Sequence, residues 1–196
     1  MKITIKHQET FSRGELLLRS FFGFFYIMIP HMFLLYFLQI AGGLLSFISW
    51  WAVLFTGKYP QSFYEFQLNL QRWSLRVGLR LLNLADGYPA FGLNSADSNS
   101  NIEIENSESL SRGLLLLRLF FGMFYVIIPH GFLLMFRAIA CMFIAFIAWW
   151  IVLFTGKYPE SMFNFVIETQ RWSIRVSLYM KFMTDIYPPF HGREIE

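Results

Sequence analysis

Charge is scarce in this sequence. Only 15% of its 196 residues are Asp, Glu, Lys or Arg, and from Ser20 to Thr56 there is none. Soluble domains carry about 25% charged and about 45–50% apolar residues. A chain that is 56% hydrophobic and 20% aromatic therefore has more apolar surface than a small core can bury. Cysteine is almost missing too. Cys141 stands alone, which excludes an intramolecular disulfide and, with only four histidines, a dedicated thiolate metal site. Gly57-Lys58 lacks the upstream glycine and the following Ser or Thr of a phosphate-binding loop. No metal or cofactor is expected. The first ten residues are polar and the apolar run far exceeds an h-region of about 7–15 residues, so the first span reads as an uncleaved membrane helix rather than a signal peptide.

What the sequence does contain is a repeat. Pro30-His31 matches Pro129-His130, Trp50-Trp51 matches Trp149-Trp150, and Gln71-Arg72-Trp73 matches Gln170-Arg171-Trp172, all without a gap. Ile3-x-Ile5 opens the first copy and Ile102-x-Ile104 the second, and more than half of the positions from Arg13 to Phe91 are identical in the second copy. Residues 1–91 and 102–196 are thus two membrane repeats. Residues 92–101, rich in Ser, Asn and Asp, read as a flexible linker that tethers them.

Within each repeat, Ser12 and Ser111 stand where a helix N-cap belongs. The uncharged run that follows would reach about 55 Å as one helix, against a hydrocarbon thickness of about 30 Å, and so suits two spans joined as a hairpin. One turn placement puts Pro30 at the first position of the second helix. The other puts the turn near Tyr36 to Gln39 and leaves Pro30 as a kink. Arg137, in the place of Leu38, favours the later turn, because a charge at a turn reaches headgroups whereas one at the bilayer centre costs at least about 2.5–3.5 kcal/mol. Pro30, His31, Pro129 and His130 are accordingly kink or turn residues, with each histidine expected to bond backbone freed by its proline.

The second span ends in Phe-Thr-Gly-Lys-Tyr-Pro, present at 55–60 and unchanged at 154–159. Gly suits the left-handed cap, Lys the negative helix end, Tyr the interface, and Pro stops the helix. Gln61 to Leu84 and Glu160 to Met183 then read as amphipathic helices. Arg72, Arg76 and Arg80 form one stripe and Phe66, Leu70, Trp73 and Val77 the next, as in a helix lying among headgroups. Lys58, Arg72, Arg76, Arg80, Lys157, Arg171 and Arg175 are the expected contacts to membrane lipids of anionic character. The expected fold class is an all-α membrane protein of two tandem parallel repeats, each a two-helix transmembrane hairpin plus an interfacial amphipathic helix.

Ile-Pro-His, the Trp pair before Phe-Thr-Gly-Lys-Tyr-Pro, Arg-Trp-x-x-Arg and Asp-x-Tyr-Pro with a following Phe together resemble a bacterial membrane family, domain of unknown function 4389. The second copy fits more closely, with Pro188-Pro189 where the first has Pro89-Ala90. The resemblance implies a membrane location and a bacterial source, and no activity.

An even number of spans per repeat gathers the basic residues and both termini on one side, which by the positive-inside rule is the cytoplasmic side of a bacterial inner membrane. The two copies are then related by an axis along the membrane normal. The spans offer no convergent titratable groups beyond the two histidines, so no enzyme and no catalytic residue are expected. The leading expectation is an accessory or scaffold subunit of a larger membrane assembly. Ala41, Gly42, Gly43, Ser46 and Ser49 would provide its close-packing groove for other membrane proteins. A transport or permeation element and a bilayer-shaping or lipid-sensing protein are the alternatives, and no nucleic-acid partner is expected.

Overall fold

The computed structural model describes residues 1–194; Ile195 and Glu196, at the end of the second expected repeat, lie outside the described residues. In chain order the elements are strand β1 (Lys2–Ile5), helix α1 (Arg13–Thr56), helix α2 (Gln61–Leu81), strand β2 (Ser100–Glu103), helix α3 (Arg112–Thr155) and helix α4 (Glu160–Met180). α1 starts where its cap residue predicts. Ser12 Oγ accepts from the Glu15 amide, and Ser111 Oγ from the Leu114 amide, relieving an unpaired first-turn donor in each long helix.

The expected transmembrane hairpin is not there: α1 and α3 are each a single helix of 44 residues with no turn near Tyr36 or Gln39. Inside a helix, proline removes one hydrogen bond and its ring crowds the carbonyl four residues back. The chain passes Pro30 unbroken because the preceding turn, Phe24–Met28, is wound as a wider π-helix, with the Ile29 amide reaching Phe24 O. The carbonyl that residue 30 would have served, that of Tyr26, accepts instead from the Tyr88 hydroxyl at 3.0 Å. The second copy repeats this, with Met123–Ile127 as the π turn and Tyr187 donating to Tyr125 O at 2.9 Å. Arg137 needs no turn either. Its Nε donates to Thr169 Oγ1 at 2.9 Å and Nη2 to Phe165 O at 3.1 Å, so α4 satisfies the charge.

The chain reverses at Gly57, whose φ of 74° is the left-handed cap conformation that glycine adopts without strain, and again at Gly156 with φ 72°. α2 runs back along α1, bringing Gln67 to Gly42 and Trp73 to His31. α2 and α4 end at Leu81 and Met180, three residues short of the expected limits.

The two repeats pack directly on each other. Arg13 Nη2 donates to Phe154 O and Arg112 Nη2 to Phe55 O, so the start of each long helix lies beside the end of the other and the two run antiparallel. Phe11 N donates to Gly156 O and Leu110 N to Gly57 O in the same reciprocal manner. β1 pairs antiparallel with β2, and Ile3 faces its own repeat equivalent Ile102, so a pseudo-two-fold axis passes between these two residues. One hydrophobic core serves both copies, with Leu16, Val53, Tyr64 and Leu79 joining Leu115, Val152, Phe163 and Leu178.

Residues 92–101 are likewise bound into the fold rather than free. Arg76 donates to the carbonyls of Ser95 and Gly92, Arg80 grips Asp97, and Ser100 and Asn101 belong to β2. Guanidinium groups pair with the Gly92 and Ser95 carbonyls and the Asp97 carboxylate, which repays the ordering that composition alone would not.

Candidate functional site

Two features of the sequence were candidates for function: the basic stripe and the small-residue cluster. Five of the seven expected headgroup contacts are internal fasteners. Arg72 sends Nε and Nη2 to Ile102 O at 2.9 and 2.6 Å, and Arg171 sends Nε to Ile3 O at 3.0 Å, each holding the strand of the other repeat. Arg76 and Arg175 are buried against carbonyls, of Ser95 and Gly92 in one copy and of His191 and Arg193 in the other. Arg80 and Asp97 form a two-pronged pair at 2.9 and 2.6 Å, both side chains less than a tenth exposed. Burial alone would raise the Asp97 carboxyl, but the Arg80 guanidinium and the Ser100 hydroxyl outweigh it and hold it below the usual carboxylate range. The rigid fork of arginine matches paired carbonyl and carboxylate acceptors, which explains why this stripe turns inward. Lys58 and Lys157 remain exposed, at the capped ends of α1 and α3.

The small residues are also used within the repeat. Gln67 Nε2 donates to Gly42 O and, at 2.8 Å, to Ser46 Oγ. A Cβ on Gly42 would lie 3.1 Å from Leu70 Cδ2, and Ser49 is completely buried. Ala41 is half-buried, and Gly43 is exposed, with open space for 4 Å around the place a Cβ would occupy. Close approach at Gly42 and Ser46 therefore serves α2, while Gly43 beside them faces outward.

His31 and His130 are held by aromatic side chains rather than by backbone. Trp73 Nε1 donates to His31 Nδ1 at 2.9 Å, and Trp172 Nε1 to His130 Nδ1 at 2.8 Å. A ring nitrogen that accepts leaves the proton on the other, so both imidazoles are Nε2 tautomers, and His130 Nε2 donates to the Tyr187 hydroxyl at 3.0 Å. Phe91 stacks on His31 with centroids 3.9 Å apart, and Phe190 on His130 at 4.1 Å.

These contacts give the Asp-x-Tyr-Pro-x-Phe motif a physical task. Asp86 accepts from the Ser12 amide and from Arg19, Tyr88 caps the Tyr26 carbonyl, and Phe91 covers the imidazole. Asp185, Tyr187 and Phe190 repeat the arrangement on α3. The motif is a clasp laid along the first half of each long helix. Arg19 and Arg118, its buried partners, were missed in the sequence, although their identity in the two copies was the available signal. Their surroundings differ in a matched way. Arg19 meets Glu15 and Asn83, whereas the equivalents Leu114 and Phe182 leave Arg118 to the Tyr179 and Thr184 carbonyls and to the Tyr179 and Phe182 rings.

With the arginine stripe of the returning helices turned inward, the outer side of each long helix is left apolar. Two helices are long and apolar enough to cross a membrane. Along α1, one seam of buried residues (Leu16, Gly23, Ile27, His31, Leu35, Gly42, Ser49 and Val53) faces the rest of the protein. On the other side Phe22, Phe25, Ile29, Phe33, Phe37, Ile40, Leu44, Phe47, Trp51 and Phe55 succeed one another at steps of three or four, all exposed. The same stripe on α3 runs from Phe121 to Phe154. Such a continuous apolar surface is far larger than the scattered hydrophobic side chains of a soluble monomer.

No group of three potential metal ligands occurs among the described residues. Comparison with curated proteins and with solved structures gave no match. A family model does match, twice: at residues 16–92 and 114–191, covering all but the first residues of both long helices, both returning helices and the Asp-x-Tyr-Pro-x-Phe motif of each copy. The chain therefore belongs to the family described as domain of unknown function DUF4389, of which it carries two tandem copies.

Proposed function

We propose that this is a non-enzymatic membrane-embedded protein whose working surface is its contact with lipid, and that it shapes or senses the bilayer. The supporting observation is the exposed apolar stripe that runs the length of both long helices while the arginine stripe, Gly42 and Ser46 are engaged inside. Immersing that stripe removes apolar area from water at roughly 25 cal/mol per Å². At its ends, Lys58 and Lys157 stand near Arg112 and Arg13, exposed cations that favour anionic headgroups by about 1 kcal/mol each. The same cations favour residence at the cytoplasmic side of a bacterial inner membrane, with the polar layer in the cytoplasm.

Reconstitution into vesicles of mixed zwitterionic and anionic lipid tests this reading. The protein is expected to sediment with the vesicles and to change their diameter or shape in electron micrographs. Phe33→Asp with Phe132→Asp is expected to abolish the change. Vesicles of unaltered shape, together with a stoichiometric complex recovered with other membrane proteins in mild detergent, would replace the reading with that of an accessory or scaffold subunit.

A further inference from the structure

We infer that the protein enters one leaflet only, with both long helices lying in the membrane plane and the pseudo-two-fold axis along its normal. The inference rests on the membrane embedding just proposed and specifies its geometry. A 44-residue helix is about 66 Å long, roughly twice the hydrocarbon thickness of about 30 Å. Length alone would allow a span with a protruding end, so the decisive observation is what runs beside the helix.

α2 lies along α1, and the polar stretch 92–106 lies along α2 on its far side. Asp97 meets Arg80 near one end of α2, Ile102 O meets Arg72 midway, and Asn106 Nδ2 meets Gln61 Oε1 at the other end. This polar stretch therefore extends over the whole of α2, which at 21 residues is about 31 Å long. If α1 and α2 stood upright, the exposed side chains of Asn94, Ser98, Asn101, Glu103 and Glu105 would be distributed across the entire hydrocarbon layer. Lying flat, the same molecule keeps all of them in water and the Phe22–Phe55 stripe in lipid.

The second repeat agrees. β1 and β2 form one sheet, β2 fastened to α2 through Arg72 and β1 to α4 through Arg171, so the polar layers of the two copies are continuous and lie on one side. Antiparallel helices related by a two-fold axis put both apolar faces in the same leaflet only if that axis is the membrane normal. This is the geometry of a monotopic protein, with each long helix as an in-plane element.

The test uses the full chain with Cys141→Ala, carrying a single spin-labelled cysteine in place of Phe25, Phe33, Leu44 or Phe55, or of Ser98 as the polar-side control. Proteoliposomes are probed with lipid-soluble and water-soluble relaxants. In-plane insertion gives the four stripe labels one common shallow depth and leaves Ser98→Cys in water. Infrared dichroism of aligned bilayers should place the mean helix axis near the membrane plane. Depths that pass through the bilayer centre along the series, with helices near the normal, would overturn the inference while leaving membrane embedding intact. Stripe labels that are all accessible to the water-soluble relaxant would overturn both.

Discussion

Ile3 sits directly opposite Ile102, its own counterpart in the second repeat, and both side chains are buried in the core shared by the two copies. Each strand is also fastened by an arginine of the opposite repeat, Arg171 to Ile3 O and Arg72 to Ile102 O. The copies thus complete each other. A single repeat lacks the strand that its Arg72 or Arg171 holds, so residues 1–99, which keep the Arg76 and Arg80 partners, are expected when expressed alone to form symmetric dimers through Ile3 rather than a stable monomer. Sedimentation in detergent checks this, and a folded monomer would contradict it.

Removing the indole donor tests the histidine. Trp73→Phe keeps an aromatic side chain but leaves His31 Nδ1 buried without a partner, at a cost of about 1–3 kcal/mol for that acceptor. The variant should melt several degrees lower. His31→Leu in the same background should cost less than the sum of the single changes, because no acceptor then remains to be satisfied.

Tyr88→Phe should reveal the proline dependence. The hydroxyl serves the Tyr26 carbonyl only because Pro30 has no amide, so its loss is expected to cost about 0.5–1.5 kcal/mol. In a Pro30→Ala background the cost should shrink, since residue 30 then offers an N–H to the same carbonyl. Equal losses in both backgrounds, measured by thermal melting, would disprove the link.

Asp97 predicts an acid limb. Burial raises its carboxyl, but Arg80 and Ser100 lower it further, so its folded value lies below the unfolded value of about 3.9. A depressed carboxylate contributes stability above its unfolded value and loses it as pH falls through the folded value. The melting temperature should therefore drop below about pH 4, and Asp97→Asn should flatten that part of the curve. Asp97→Ala, which strands a buried Arg80, should cost about 3–5 kcal/mol at neutral pH.

Two adjacent glycines separate internal packing from surface. Gly42→Leu drives a side chain into Leu70 and Gln67 and should cost about 1–3 kcal/mol or more by overpacking. At Gly43 an added Cβ meets nothing within 4 Å, so Gly43→Leu should leave stability nearly unchanged. The second copy holds Cys141 and Val166 at the places of Gly42 and Gln67, so Gly42→Cys should be better tolerated with Gln67→Val than alone. Similar effects of Gly42→Leu and Gly43→Leu on association with other membrane proteins would restore the docking groove.

The local signals in this sequence had local consequences. Ser12 and Ser111 begin the long helices, Gly57 and Gly156 end them, Pro60 and Pro159 precede the returning helices, and the constant spacing of Pro-His, Trp-Trp and Arg-Trp revealed two copies of one unit. Caps, breakers and repeats act through residues within a turn or two, so they can be read from order alone. The tertiary structure decided what depends on distant partners. Pro30 failed to turn the chain because Tyr88, 58 positions later, supplies the bond that proline withholds. The arginine stripe turned inward because Ile102, Ser95 and Asp97 offered acceptors that only the fold brings within reach, and Arg137 found Thr169 in the same way. Amphipathic periodicity identifies a helix with two faces but not what each face meets. That depends on whether burying a charge against a well-placed acceptor is less costly than leaving it to solvent or headgroups, and only the assembled chain supplies that geometry.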